Sequence, residues 1–110
     1  MNKLWIAPIL ALMLGACDNP VPPDKKAYVG QWHEKNMVLR ITQEGHVKYK
    51  RVNGNTTTSM DVPIKRFEGN NIEAGLGPMS ATFVVSMPPY QDGDQWKMVV
   101  DGVELTRTAE

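Results

Sequence analysis

A single cysteine, Cys17, stands among 110 residues, so the chain cannot form an internal disulfide. A small domain without such staples must draw its stability from buried apolar side chains. No apolar run is long enough to span a bilayer. Leu4 to Ala16 supplies thirteen apolar or small residues, about 20 Å of helix against a hydrocarbon core of about 30 Å. Histidine is also scarce. His33 and His46 lie at no ligand spacing, and a metal site needs several convergent donors, so neither a metal nor another cofactor is expected. The formal net charge is zero, which argues against nucleic acid as a partner.

Catalytic constellations are missing as well. Ser59, Ser80 and Ser86 lie outside any nucleophile-elbow pattern. Asp92-Gly93-Asp94 is too short for a calcium loop and reads as a solvated turn rather than a paired-carboxylate site. Five methionines follow residue 16, at 37, 60, 79, 87 and 98. All except Met79 fall on inward strand positions, so gap-filling in a core is preferred to soft copper ligation. The sequence therefore predicts a protein that is not an enzyme.

What is present begins at the N-terminus. Lys3 precedes the apolar run, and Gly15 and Ala16 close it, the layout of a secretory signal peptide. Leu14-Gly15-Ala16-Cys17 resembles the lipobox of bacterial lipoproteins. The resemblance implies removal of residues 1–16, a diacylglyceryl group on the Cys17 sulfur and acylation of the new N-terminus. A thiolate is the nucleophile such chemistry needs. A buried free thiol or an unpaired reactive one are the competing readings of Cys17. Two or more acyl chains anchor a protein stably. The implied address is the bacterial cell envelope, membrane-anchored and facing the periplasm. Asp18 resembles an inner-membrane retention signal, with the outer membrane as the alternative.

Residues 17–26 carry the lipidation site and a Pro-rich tether, with prolines at 20, 22 and 23. Extended over residues 19–26, it would hold a domain about 25 Å off the bilayer. Residues 27–107 form one domain, and 108–110 a short tail. Within the domain, period-two alternation dominates: Met37, Leu39 and Ile41; Val47 and Tyr49; Met60, Val62 and Ile64; Phe83, Val85 and Met87; Trp96, Met98 and Val100. Pro63 moves its strand toward an edge. Pro88 to Asp94 reads as the longest loop, and Asp101-Gly102 as a two-residue hairpin turn. The expectation is an all-β antiparallel meander of seven or eight short strands, closed or nearly closed into a small barrel, with a two-sheet sandwich as the alternative.

Charge is segregated along the chain. Lys25 to Arg66 holds nine basic and three acidic residues, and Phe67 to Glu110 two basic and seven acidic. Cross-strand pairing between the halves is the expectation; the alternative is a basic face carrying Arg40, Lys48 and Lys50 toward headgroups or an acidic partner. Gly75 to Ser80, with Met79, and Pro88-Pro89-Tyr90 are candidate contact surfaces. Tyr28 to Trp32, with the Gly30-x-Trp32 pair, then Leu39-Arg40-Ile41 and Gly45 to Tyr49, resemble the opening of lipocalin-like small barrels. That resemblance implies a Trp plugging one barrel end. In so short a barrel, side chains are expected to fill the interior. Size and anchor also resemble periplasmic lysozyme-inhibitor lipoproteins, although Cys17 has no partner for the disulfide usual there. The reading that follows is a non-catalytic module contacting an envelope partner, the alternatives being a carrier of a small hydrophobic molecule or a lysozyme-inhibitor-like protein.

Overall fold

The computed structural model describes residues 20–108. The signal-peptide reading of 1–16, Cys17 and Asp18 fall outside the described residues. Nine antiparallel strands follow a short 3-10 helix, Pro23–Tyr28. They are β1 Gly30–Glu34, β2 Met37–Ile41, β3 His46–Asn53, β4 Thr56–Glu68, β5 Asn71–Leu76, β6 Met79–Phe83, β7 Val85–Asp92, β8 Gln95–Val100 and β9 Val103–Arg107. Their order in the sheet is β6-β5-β4-β3-β2-β1-β9-β8-β7. The sheet curls strongly into an open half-barrel.

The alternation in the sequence explains the inner face. In β2, Met37, Leu39 and Ile41 are buried while Val38 and Arg40 are exposed. Val47 faces inward on β3, and Ile72 and Ala74 do so on β5. Met98, Val100 and Leu105 complete the core from β8 and β9. Each of these side chains except Ala74 contributes about 1.5–3 kcal/mol on burial. The interior is thus packed with side chains, and Trp32, at 0% exposure, is the largest of them.

Several expectations need correction. The strands number nine, not seven or eight, because the predicted Thr82–Met87 strand is two. The chain runs through Val84 from β6 at one edge of the sheet to β7 at the other. The barrel is open at this seam, where β6 and β7 follow each other along the chain instead of pairing side by side. Side chains cover the break. Asn71 Oδ1 accepts the Val85 N–H at 2.8 Å, and Asp101 Oδ1 accepts the Val84 N–H at 2.9 Å. The two-sheet sandwich does not form, since hydrogen-bonded neighbours run continuously from β6 to β7.

Pro88 to Asp92 is strand, not loop. Register shifts between Val85 and Met87 and between Met87 and Tyr90 accommodate the prolines, and β7 is an edge strand that needs no second ladder. The same irregularity turns Met87 outward, 45% exposed, against the expectation of a core residue. Pro63 sits where β4 changes partners: β3 pairs with it up to Pro63, and β5 pairs from Ile64 onward. The Asp101-Gly102 hairpin forms as predicted, closing on the Val100–Val103 pair with Asp101 at φ 51°.

The extended tether expected over 19–26 does not form where the structure describes it. Val21 is buried, its N–H bonds the Gln43 carbonyl at 3.0 Å, and Gln43 Nε2 returns a bond to the Val21 carbonyl at 3.3 Å. A valine between prolines gains more from the core than polyproline stiffness opposes. Tyr28 then anchors the 3-10 helix. Its hydroxyl donates to the Asn70 carbonyl at 2.9 Å, and its ring meets Phe67 edge-on at 5.2 Å.

Burial pushes the Tyr28 phenol above its ordinary pKa. The folded state therefore holds that proton more tightly than the unfolded chain does. The corresponding stability is complete below pH about 10 and is lost as pH rises through the raised folded value. Thermal melts between pH 8 and 11.5 should show this fall. Tyr28→Phe is expected to lose about 1 kcal/mol at neutral pH with the hydrogen bond but to flatten the alkaline decline. An unchanged alkaline slope would refute the assignment.

Candidate functional site

The inner face does not end where the core ends. Beyond Ile64 and Ala74, it continues along β4, β5 and β6 as an open groove of about 190 Å³. Met60 and Val62 come from β4, Ala74 and Leu76 from β5, and Met79 and Ala81 from β6. Ala74 and Ala81 are direct cross-strand partners, and two methyl side chains leave the hollow between them. Leu76 and Met79 pair across the Gly77-Pro78 turn and stand 63% and 74% exposed. Lys65 fixes the tip, its Nζ donating to the Gly77 carbonyl at 2.7 Å and contacting Ser80 Oγ at 2.9 Å.

The adjacent backbone is also unpaired. β5 pairs with β4 only from Ile64, so the segment from Thr56 to Val62 has β3 on one side and no described strand on the other. This edge carries Thr56, Thr57, Thr58 and Ser59, and its one charged side chain, Asp61, is paired with His46. Groove and edge together form an apolar trough beside a row of free strand hydrogen-bonding groups. The sequence marks Leu76 and Met79 within the Gly75–Ser80 contact surface, but not Met60 and Val62 as their neighbours. Their period-two spacing was visible, yet it does not tell a covered inner face from an open one.

The outer faces hold the other predicted residues. Cross-strand registers bring Arg40 opposite Lys48, and Lys50 opposite Val38. Among the described residues, no carboxylate lies within 4.0 Å of Arg40, Lys48 or Lys50. Asp61, opposite Lys48, is taken by His46 Nδ1 at 2.7 Å. The expected pairing between the two charged halves occurs at Arg66, which meets Glu73 at 2.7 Å and Glu68 at 3.0 Å. Arg40, Lys48 and Lys50 thus share the outer face of β2 and β3. Tyr90 is not near it. Its hydroxyl contacts Glu104 Oε2 at 2.8 Å, a bond that raises its pKa, and Lys97 lies 3.7 Å from Asp92 and 3.6 Å from Glu104. Tyr90 belongs to a satisfied cross-strand network rather than a free aromatic contact.

A second cleft, about 620 Å³, opens where β1, β8 and β9 meet. His33, Asp94, Gln95, Trp96, Thr106 and Arg107 contribute to it. His33 and His46 are on different strands, and among the described residues no three His, Cys, Asp or Glu side chains converge as a metal site would require. No family model, curated protein or solved structure matches this chain.

Proposed function

We propose that the protein is a lipid-anchored, periplasm-facing module of the bacterial envelope that catalyses nothing and holds an extended apolar segment of an envelope protein. The observation that carries the binding reading is the trough itself: Leu76 and Met79 stand exposed beside an unpaired strand edge. An added strand fits such a place, because backbone groups supply affinity and alternate side chains fill the groove. A volume of about 190 Å³ is below the roughly 300 Å³ where small-molecule sites begin, which favours a protein segment over a carried hydrophobic molecule.

The anchor follows from the lipobox resemblance at Cys17. Combined with the docked Val21, it gives a short leash. Four residue steps separate Cys17 from Val21, at most about 14 Å. A lipid on Cys17 then holds the β2–β3 turn at the headgroups rather than about 25 Å away. Arg40 and Lys48 flank that turn and suit an anionic surface.

The test is photocrosslinking in intact cells from position 79, with the exposed position 91 on β7 as a control. One discrete protein adduct is expected from position 79. Leu76→Ser with Val62→Ser should cut its yield at least about tenfold, each buried apolar side chain contributing about 1.5 kcal/mol or more. Equal adducts from both positions, or a yield indifferent to the double substitution, would discard the reading. Intact-mass measurement of the same material reports the lipid on Cys17 separately.

A further inference from the structure

The residues Trp32, Arg107 and Trp96 lie side by side across β1, β9 and β8. Trp32 and Arg107 are a direct cross-strand pair, and the β8–β9 register places Trp96 opposite Arg107. The Arg107 guanidinium carbon sits 5.7 Å from the Trp32 ring centre and 5.4 Å from that of Trp96. Gly30 makes room for it: a Cβ built there would fall 2.9 Å from Arg107 Cδ. Four residues from three strands thus set one guanidinium at the second cleft.

Aromatic rings occupy its faces and leave its N–H groups unclaimed. Among the described residues, no carboxylate reaches Arg107 within 4.0 Å, and no side-chain hydrogen bond engages it. This contrasts with Arg66 and Lys97, each placed between two carboxylates. A half-buried guanidinium held by ring contacts keeps its planar fork free for a bidentate acceptor. The cleft volume, about 620 Å³, falls within the roughly 300–1,000 Å³ of small-ligand sites. His33, Gln95 and Thr106 also line it.

We infer that the cleft between β1, β8 and β9 is a binding site for a carboxylate, with Arg107 as its fork. Asp94 on the β7–β8 turn sets the charge limit. It lines the same cleft, so its charge opposes a dianion such as phosphate about twice as strongly as a carboxylate monoanion. A free organic acid and the C-terminal carboxylate of a peptide share this chemistry. The site is separate from the apolar trough and does not depend on it.

The test uses the full chain with four probes: acetate, an N-acetylated dipeptide with a free C-terminus, its C-terminal amide, and inorganic phosphate. Binding is read by the NMR shifts of the Arg107 Nε–H and the Trp96 indole N–H. Saturable shifts are expected with a carboxylate and none with the amide. A peptide that binds at least tenfold more tightly than acetate identifies a chain terminus as the source; equal affinities identify a free acid. Arg107→Lys keeps the charge and loses the fork, and should weaken binding about tenfold. Should that variant fail to fold, Asp94→Asn on an exposed turn should tighten carboxylate binding severalfold and admit phosphate. Shifts that never saturate, an equal response to the amide, or a D94N variant with unaltered selectivity would each overturn the assignment.

Discussion

Replacing Trp32 with alanine is expected to cost about 3–5 kcal/mol, the range for removing a buried aromatic ring. A small domain has about 5–15 kcal/mol in total, so the variant should stand at the edge of unfolding at 37 °C. Three losses combine. The ring is 0% exposed, so its whole surface becomes a cavity. Its Nε1–H donates to the Tyr28 carbonyl at 2.9 Å, the link between the 3-10 helix and the sheet. It also forms one wall of the Arg107 stack. Urea titration should show the midpoint falling by more than 1 M, taking a slope of about 1–3 kcal/mol per molar. Trp32→Phe separates the terms: it keeps most of the apolar volume and loses the indole donor, so a smaller drop of about 1–2 kcal/mol is expected. If both variants cost the same, cavity formation is not what Trp32 prevents.

Alternation made the core legible in the sequence. Met37, Leu39, Ile41, Val47, Ile64, Phe83, Val85, Met98 and Val100 were all placed inward by period two, and all are buried. Turns were legible where glycine or Asp-Gly marked them. Two kinds of feature were not. Where a strand changes partner, side-chain alternation continues through the change, so Thr82–Met87 looked like one strand although its halves pair at opposite edges of the sheet. Where prolines cluster, composition suggests loop or spacer; yet Pro88 and Pro89 lie in an edge strand, and Pro23 starts a helical turn held down by Val21. Candidate sites fared similarly. Met79 stood out because a flexible Gly-Pro turn carries it, whereas the Trp32–Arg107–Trp96 row joins residues up to 75 positions apart. Only the β1–β9 register brings them together.

Gly75→Ala should produce the second large effect, and an unusually local one. Gly75 has φ 154°, and a Cβ there would lie 2.0 Å from the Met79 carbonyl oxygen and 2.8 Å from Ser80 Cα. Both obstacles are backbone, so no rotamer change relieves them and the β5–β6 pairing itself must move. A cost of about 3 kcal/mol or more is expected, beyond the usual strain of a residue in an unfavourable backbone region. Gly77→Ala is the control. Its φ of 57° also favours glycine, but nothing lies within 4 Å of the added methyl, so about 1–2 kcal/mol suffices. Hydrogen exchange should locate the difference: amides of β5 and β6 lose protection in the Gly75 variant while those of β1, β2 and β9 keep theirs. The trough should suffer with them, because Leu76 and Met79 depend on that hairpin for their alignment with Met60 and Val62. Crosslinking from position 79 should therefore fall in Gly75→Ala and persist in Gly77→Ala. Equal costs for the two substitutions would mean that the close approach at Gly75 is not what holds the wing in place.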